Sequence, residues 1–163
     1  MTNDRFGIRW GLAGGTTLAS IDEARDAARF AEKAGFDSFW ISHAMGIDPI
    51  LALACIGGDF PGISEVGTSV VPLYGRHPVG LAQLARSAQN ALGGRFTLGV
   101  GAASKRHAED VLGLSWDKPF SYAREFIDAL EPLLTDEAAD TDGIQISAHA
   151  KLAIEARPTP ILL

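Results

Sequence analysis

The chain has 163 residues, 47% of them hydrophobic and 21% charged, which suits one globular domain and excludes disorder along its whole length. A net charge of −6 and a pI near 5.1 work against holding a polyanion, so nucleic acid is not an expected partner. No apolar run reaches the roughly 18 residues of a membrane helix, no h-region follows the N-terminal MTNDR, and a cytoplasmic protein without a membrane partner is expected.

Four short apolar segments read as strands: residues 6–12 (FGIRWGL), 37–42 (DSFWIS), 66–72 (VGTSVVP) and 96–101 (FTLGVG). They recur about every 30 residues, the length of one strand-helix unit. Between the first two, Ser20 and Glu23 form a capping-box pattern, and Ile21, Ala24, Ala28 and Ala31 keep a helical period until Gly35. Asp48-Pro49 opens a second helix with a cap and a proline at its first position. Within that helix Cys55, the one cysteine of the chain, reads as a small buried hydrophobe.

His77-Pro78 opens a third helix, with Leu81, Leu84, Ala85, Ala88 and Leu92 on one face and Gly93-Gly94 at its end. A short helix around 105–112 and a longer one over 121–134 follow the fourth strand. Residues 136–157 read as an insertion, whose alternating stretch 143–147 (GIQIS) suits an extra surface strand or hairpin. Pro158-Thr159-Pro160 then introduces Ile161-Leu162-Leu163, the opening of a fifth buried strand.

Alternation of strand and helix predicts an α/β fold with a parallel sheet and right-handed crossovers. Two architectures satisfy it. Length favours an open five-stranded parallel sheet of the doubly wound kind, because a full eightfold barrel takes about 250 residues. In both, function collects at the carboxyl ends of the strands, which here means residues 11–16, 42–45, 69–74 and 99–105.

Read in order, the segments AGFDSFWIS (34–42), GTSVVP (67–72), RHP (76–78) and GRFTLGVG (94–101) resemble the luciferase-like monooxygenase superfamily, and within it the branch using coenzyme F420. The resemblance implies a (β/α)8 TIM-type barrel, truncated after about four and a half β/α units. It also implies an oxidoreductase that moves a hydride between coenzyme F420, or alternatively FMN, and a small organic substrate, the cofactor supplying the chemistry. A different reading is an inactive truncated fragment or an assembly partner without catalysis.

The resemblance points to particular residues. In related deazaflavin enzymes a bulge with a non-proline cis peptide follows the third strand and supports the ring; Ser69 and Val70 match it here, where the residues alone suit an ordinary buried strand. Gly99 and Gly101 lack side chains that would hold a flat ring away, and they equally suit a tight turn. His43 follows the second strand and is the candidate catalytic group, able to donate a hydrogen bond or carry a proton. Where the related sugar-phosphate dehydrogenase branch has an Asp-His pair, this sequence has His43-Ala44, and Ser104 replaces that branch's acid after the fourth strand. Ser42, His43, Ser69, Val70, Gly101 and Ser104 are thus the expected ring-site residues.

Other polar and aromatic residues have plainer readings. Lys105 and Arg106 suit the solvated end of a helix, Arg76-His77 a helix-start cap, and Trp40 and Trp116 packing. His107 and His149 have no partner at metal-ligand spacing and no HExxH, CxxC or GK[ST] pattern occurs, so no metal is expected. If the barrel stops in its fifth strand, the first and last strands are open edges. A homo-oligomer, or a separate C-terminal half, is then expected to cover them, and the chain alone would hold F420 and FMN weakly.

Overall fold

Local capping starts the helices. The Glu23 amide donates to Ser20 Oγ at 3.1 Å and the Glu23 carboxylate accepts from the Ala19 amide at 2.8 Å, which sets the first turn of α1 (Ile21–Ala34). Gly35 ends it at φ 80°, a conformation that glycine adopts without steric cost. Asp48 caps α2 (Pro49–Ile56) by accepting from the Ile50 and Leu51 amides, and His77 caps α3 (Pro78–Ala91). The last long helix, α4, is Pro119–Leu133, two residues earlier than expected because Pro119 takes its first position.

The computed structural model describes residues 8–163; Phe6 and Gly7 of the first expected strand lie outside them. The strands are β1 (Gly11–Ala13), β2 (Ser38–Ile41), β3 (Glu65–Thr68), β4 (Val71–Pro72), β5 (Phe96–Gly101), β6 (Ala138–Asp142), β7 (Ser147–Lys151) and β8 (Ile161–Leu162). β1 pairs with β2, β2 with β3, both β3 and β4 with β5, and β5 with β8, all parallel. β3 and β4 are therefore two halves of one interrupted strand, and the sheet runs through its strands in sequence order. A doubly wound sheet reverses direction at a switch point; this one does not. Helices α1 to α4 each pack on the next, as an outer layer does around a barrel. The sheet is open across the described residues, so its five successive strand positions form an arc with barrel order.

The register locates the interruption. Gly67 pairs with Thr97, whereas Val71 pairs with Val100, so one residue more lies between the partners on the β3–β4 side than on β5: a one-residue bulge. The Ser69–Val70 peptide within it is cis.

Several boundaries differ from expectation. Ile8, Arg9 and Trp10 are not strand: among the described residues β1 has a neighbour on one side only, and Ile8 and Trp10 stay exposed. The GIQIS stretch is mostly not strand: Gly143 to Ile146 make the turn, closed by the Gly143 amide on the Ile146 carbonyl at 2.9 Å, and the antiparallel strands β6 and β7 flank it. The helix around 105–112 contains a π turn over His107–Val111. Leu84 is exposed and not on the buried face of α3, which is shifted by Ala82, Arg86 and Gln89. Cys55 is exposed too. It lies one turn beyond exposed Leu51 on the outer side of α2, while Ile50, Leu53 and Ile56 face the core.

Alternation sorts the two faces of the sheet. Phe39, Ile41, Val66, Phe96 and Leu98 are buried in the core with the apolar faces of the helices. Ser38, Trp40, Glu65 and Thr97 share the concave face, tied by Trp40 Nε1 donating to Ser38 Oγ at 2.9 Å and Thr97 Oγ1 donating to the Glu65 carboxylate at 2.7 Å. Gly11 and Gly67, on the strands either side of β2, leave the space that the Trp40 indole occupies. Arg86 is fully buried and donates to the Leu134 and Ile154 carbonyls and to Asp136, fastening the segment that carries the hairpin to α3.

Candidate active site

Three loops leave the carboxyl ends of β2, β4 and β5 and meet. The loop after β2 is tied to the bulge: Ser42 Oγ donates to the Ser69 carbonyl at 2.6 Å, the Ser69 amide donates to the Ile41 carbonyl at 3.0 Å, and the His43 amide donates to the Val70 carbonyl at 3.2 Å. Two adjoining cavities open above this floor. The first, about 220 Å³, is lined by His43, Val70, Gly101 and Ser104 together with Pro72, Ala103 and His107. The second, about 330 Å³, shares His43, Pro72 and His107, and is walled further by Met45, Tyr74, Arg76 and Leu112. Four of the six expected ring-site residues thus line one cavity. Ser42 and Ser69 do not line it; they hold each other behind it.

The His43 side chain keeps 24% of its surface exposed and approaches Asp48, Nε2 to Oδ2, at 4.0 Å, while its Nδ1 is buried without a hydrogen-bond partner. Burial pushes its pKa below the usual 6.5, the nearby Arg76 charge adds to this, Asp48 opposes it, and His107 lowers it further. The imidazole is therefore neutral near pH 7, with one nitrogen able to accept a proton.

Asp48 has two tasks. One carboxylate oxygen caps α2, and the other accepts from Arg76 Nη2 at 2.7 Å. Burial pulls its pKa upward, but the Arg76 hydrogen bond, the two cap amides and the Arg76 charge outweigh it and leave it below the usual value. Arg76 is itself mostly buried, with 17% of its side chain exposed. A carboxylate thus stands beside His43 after all, five residues along the loop from it. Sequence reading assigned Asp48 to a helix cap and Arg76 to a helix start; their meeting across 28 residues has no local signal.

The third loop is shaped by Ala103, a non-glycine residue at φ 68°, a sparsely populated conformation that clusters at functional sites. Ser104 Oγ accepts from the His107 amide at 3.2 Å and so starts the turn that sets His107 at the edge of both cavities. π turns recur at functional positions, and nothing in the sequence pattern marks this one. Tyr74, 3% exposed, lies between Trp116 and Tyr122 with ring centroids 4.7 and 4.2 Å away. Burial, and then Asp117, raises its pKa.

The plainer readings hold for several residues. Lys105 and Arg106 pair with Glu109 and Asp110 one turn on, at 3.7 and 3.9 Å, on an exposed surface. His77 Nδ1 accepts from the Val79 amide at 3.3 Å as a helix cap, and Trp116 packs on Tyr74. His149 is far along the chain on β7, between Asp140 at 2.7 Å and Asp142 at 3.1 Å. Its hydrogen bonds to Asp140 and then Asp142 raise its pKa. Among the described residues no group of three or more His, Cys, Asp and Glu side chains is placed to hold a metal ion, and no helix is long and apolar enough to cross a membrane.

Residues 6–163 match the sequence model of the luciferase-like monooxygenases. The chain belongs to this family. It is 32% identical over 138 residues to the 5,10-methylenetetrahydromethanopterin reductase of Methanolobus tindarius, covering 83% of this chain and 42% of that protein. Among solved structures it is similar to the coenzyme F420-dependent tetrahydromethanopterin reductase of Methanopyrus kandleri, at 19% identity and a TM-score of 0.77 over 94% of this chain and 49% of that one. The oxygenating constituent of the Pseudomonas putida 3,6-diketocamphane monooxygenase, solved with FMN, gives 22% identity and a TM-score of 0.76 over 94% of this chain and 48% of that one. These structures share the fold, a parallel α/β arc in barrel order. The chain spans less than half the length of the curated relatives it matches, 42% of the Methanolobus reductase and 36% of a Mycobacterium tuberculosis relative.

Proposed function

We propose that this chain carries the ring-facing part of a luciferase-like oxidoreductase that transfers a hydride between coenzyme F420 and a small organic substrate. The observation that carries the reading is the convergence of His43, Val70, Gly101 and Ser104 on one cavity at the carboxyl ends of the strands, where α/β folds place their ligands. The lining suits a flat heteroaromatic ring. Val70, Pro72 and Gly101 give an apolar wall; a Cβ on Gly101 would stand 2.9 Å from Val70 Cγ2, so the wall is already closely packed. The exposed part of the His43 ring and the Ser104 hydroxyl supply polar contacts at its rim. When bound, the cofactor supplies the hydride chemistry. His43, neutral at the mouth of the cleft, accepts the substrate's proton in the oxidising direction and returns it in the reducing one.

The solved relatives named for F420 and for FMN leave both rings as candidates, and F420 is favoured by the resemblance of the strand-end motifs. Nuclear magnetic resonance detects weak binding. Millimolar F420 should move the signals of His43, Val70, Gly101 and Ser104, and FMN should move them less; shifts elsewhere, or none at these residues, would sink the reading.

The open sheet supports a further part of the same reading. Among the described residues β1 pairs on one side only and so does β8, where Leu162 and Leu163 are exposed. We infer that these edges are covered by another copy or by a complementary half. Light scattering after size exclusion should show a species larger than a monomer; a clean monomer at high concentration counts against it.

A further inference from the structure

The β6–β7 hairpin is tied to the molecule at its tip and at its base. At the tip the Glu125 carboxylate of α4 accepts from the Gln145 amide at 2.7 Å and the Ile146 amide at 3.0 Å; at the base Arg86 donates to Asp136. Those backbone bonds hold the Glu125 carboxyl below its usual range, and arginine keeps its charge throughout, so neither tie changes near neutrality. Between them lies a third. Asp140 pairs with His149 across the strands, and Asp142 stands two residues on, on the same face. His149 reaches both, Nδ1 to Asp140 at 2.7 Å and Nε2 to Asp142 at 3.1 Å. A carboxylate only accepts, and a neutral imidazole has a single N–H. The geometry with both nitrogens served is therefore that of the imidazolium; without the second proton a bare nitrogen faces a carboxylate oxygen.

The charges packed around the cluster do not stand in for that proton. Lys151, next along this face of β7, is opposite Ala138 at the far end of β6. From α4, Glu125 and Asp128 share a cavity of about 460 Å³ with Asp142 and add negative charge, and Arg124 in the same cavity is 3.8 Å from Asp128. From α3, His77 reaches the Ser147 carbonyl at 3.2 Å. We infer that the hairpin carries a pH-sensitive latch: protonated His149 clasps β7 to β6 through Asp140 and Asp142, and loss of the proton loosens the two strands and their seat on α4. The hydrogen bonds to Asp140 and then Asp142 raise the His149 pKa, so the latch is closed below the usual 6.5 and is lost as pH rises through the raised value. It lies apart from the cleft and needs no cofactor.

Amide hydrogen exchange of the whole chain tests the latch. Between about pH 6 and about pH 9, exchange in β6 and β7, corrected for its intrinsic pH dependence, should speed up about threefold relative to that in α3. The step should follow the titration of the His149 ring signals. His149→Gln should remove the step and leave α3 unchanged. Asp140→Asn and Asp142→Asn, each taking away one carboxylate, should move the step to lower pH, the first by more, so the inference stays testable if His149→Gln folds poorly. Protection of the hairpin that does not change with pH in the unaltered chain overturns the inference. So does a step that survives in His149→Gln, which would place the titrating group elsewhere, or one that stays at the parent's pH in both Asn variants.

Discussion

His43 and His149 sit beside carboxylates in two regions of the molecule and are driven in opposite directions. At the cleft, His43 keeps only 24% of its side chain exposed, its neighbouring carboxylate is engaged by Arg76, and its pKa is lowered. On the hairpin, His149 keeps 53% of its side chain exposed, holds two carboxylates to itself, and its pKa is raised. A carboxylate nearby does not make a histidine cationic. Whether it is free to pair, and how much water reaches the ring, decide the sign. Proton handling near pH 7 suits the first histidine and a surface ion pair suits the second.

The largest expected effects test whether the two regions are parts of one packed unit. Arg86→Ala would strip the Leu134 and Ile154 carbonyls of their buried donor and leave a void, costing about 3–5 kcal/mol in urea unfolding. A loss below about 1 kcal/mol would mean that the hairpin segment is only loosely attached. Next comes Gly99→Ala. Its Cβ would collide with the Thr68 carbonyl oxygen across the strand pair, and the expected loss is about 3 kcal/mol. If instead the variant matches the parent, the cleft wall is less closely packed than described.

The pH dependence of stability bears directly on the two histidines. With its folded pKa below the usual 6.5, His43 is protonated first in the unfolded chain, so its contribution is present above 6.5 and lost as pH falls through the lowered value. His149, raised above 6.5, contributes fully below that pH, and this is lost as pH rises through its raised value. Urea midpoints from about pH 5 to about pH 8 should flatten on the acid side in His43→Gln and on the alkaline side in His149→Gln. Flattening on the same side for both would break the comparison. The smallest effect is Ser104→Ala, which removes the acceptor for the His107 amide and should cost about 0.5–1 kcal/mol.

The parts of this fold legible in sequence are those fixed by neighbours in the chain. Ser20 with Glu23, Asp48 before Pro49 and His77 before Pro78 announce their helices because the capping partners lie within a turn. Three of the main strands follow from their apolar runs, the first only in its last residues, and the sheet takes barrel order while staying open across the described residues. The exposure of Cys55 and Leu84 was not legible, since an apolar helix does not state which of its sides meets the sheet. Neither was the Arg76–Asp48 pair, whose members are 28 residues apart, nor the buried Arg86, which reaches partners 48 and 68 residues away. In the candidate site, motif resemblance located the strand ends around the first cavity. The groups that set the electrostatics of His43 come from contacts between loops.

The ties between the loop after β2 and the bulge bear on motion. Ser42 to the Ser69 carbonyl, Ser69 to the Ile41 carbonyl and His43 to the Val70 carbonyl join two strand ends into a single stiff plate. The loop between β5 and α4, which holds Ala103 and the turn bearing His107, forms the rim above that plate. Hydrogen exchange should show the plate as slow loss of the His43 and Ser69 amide protons.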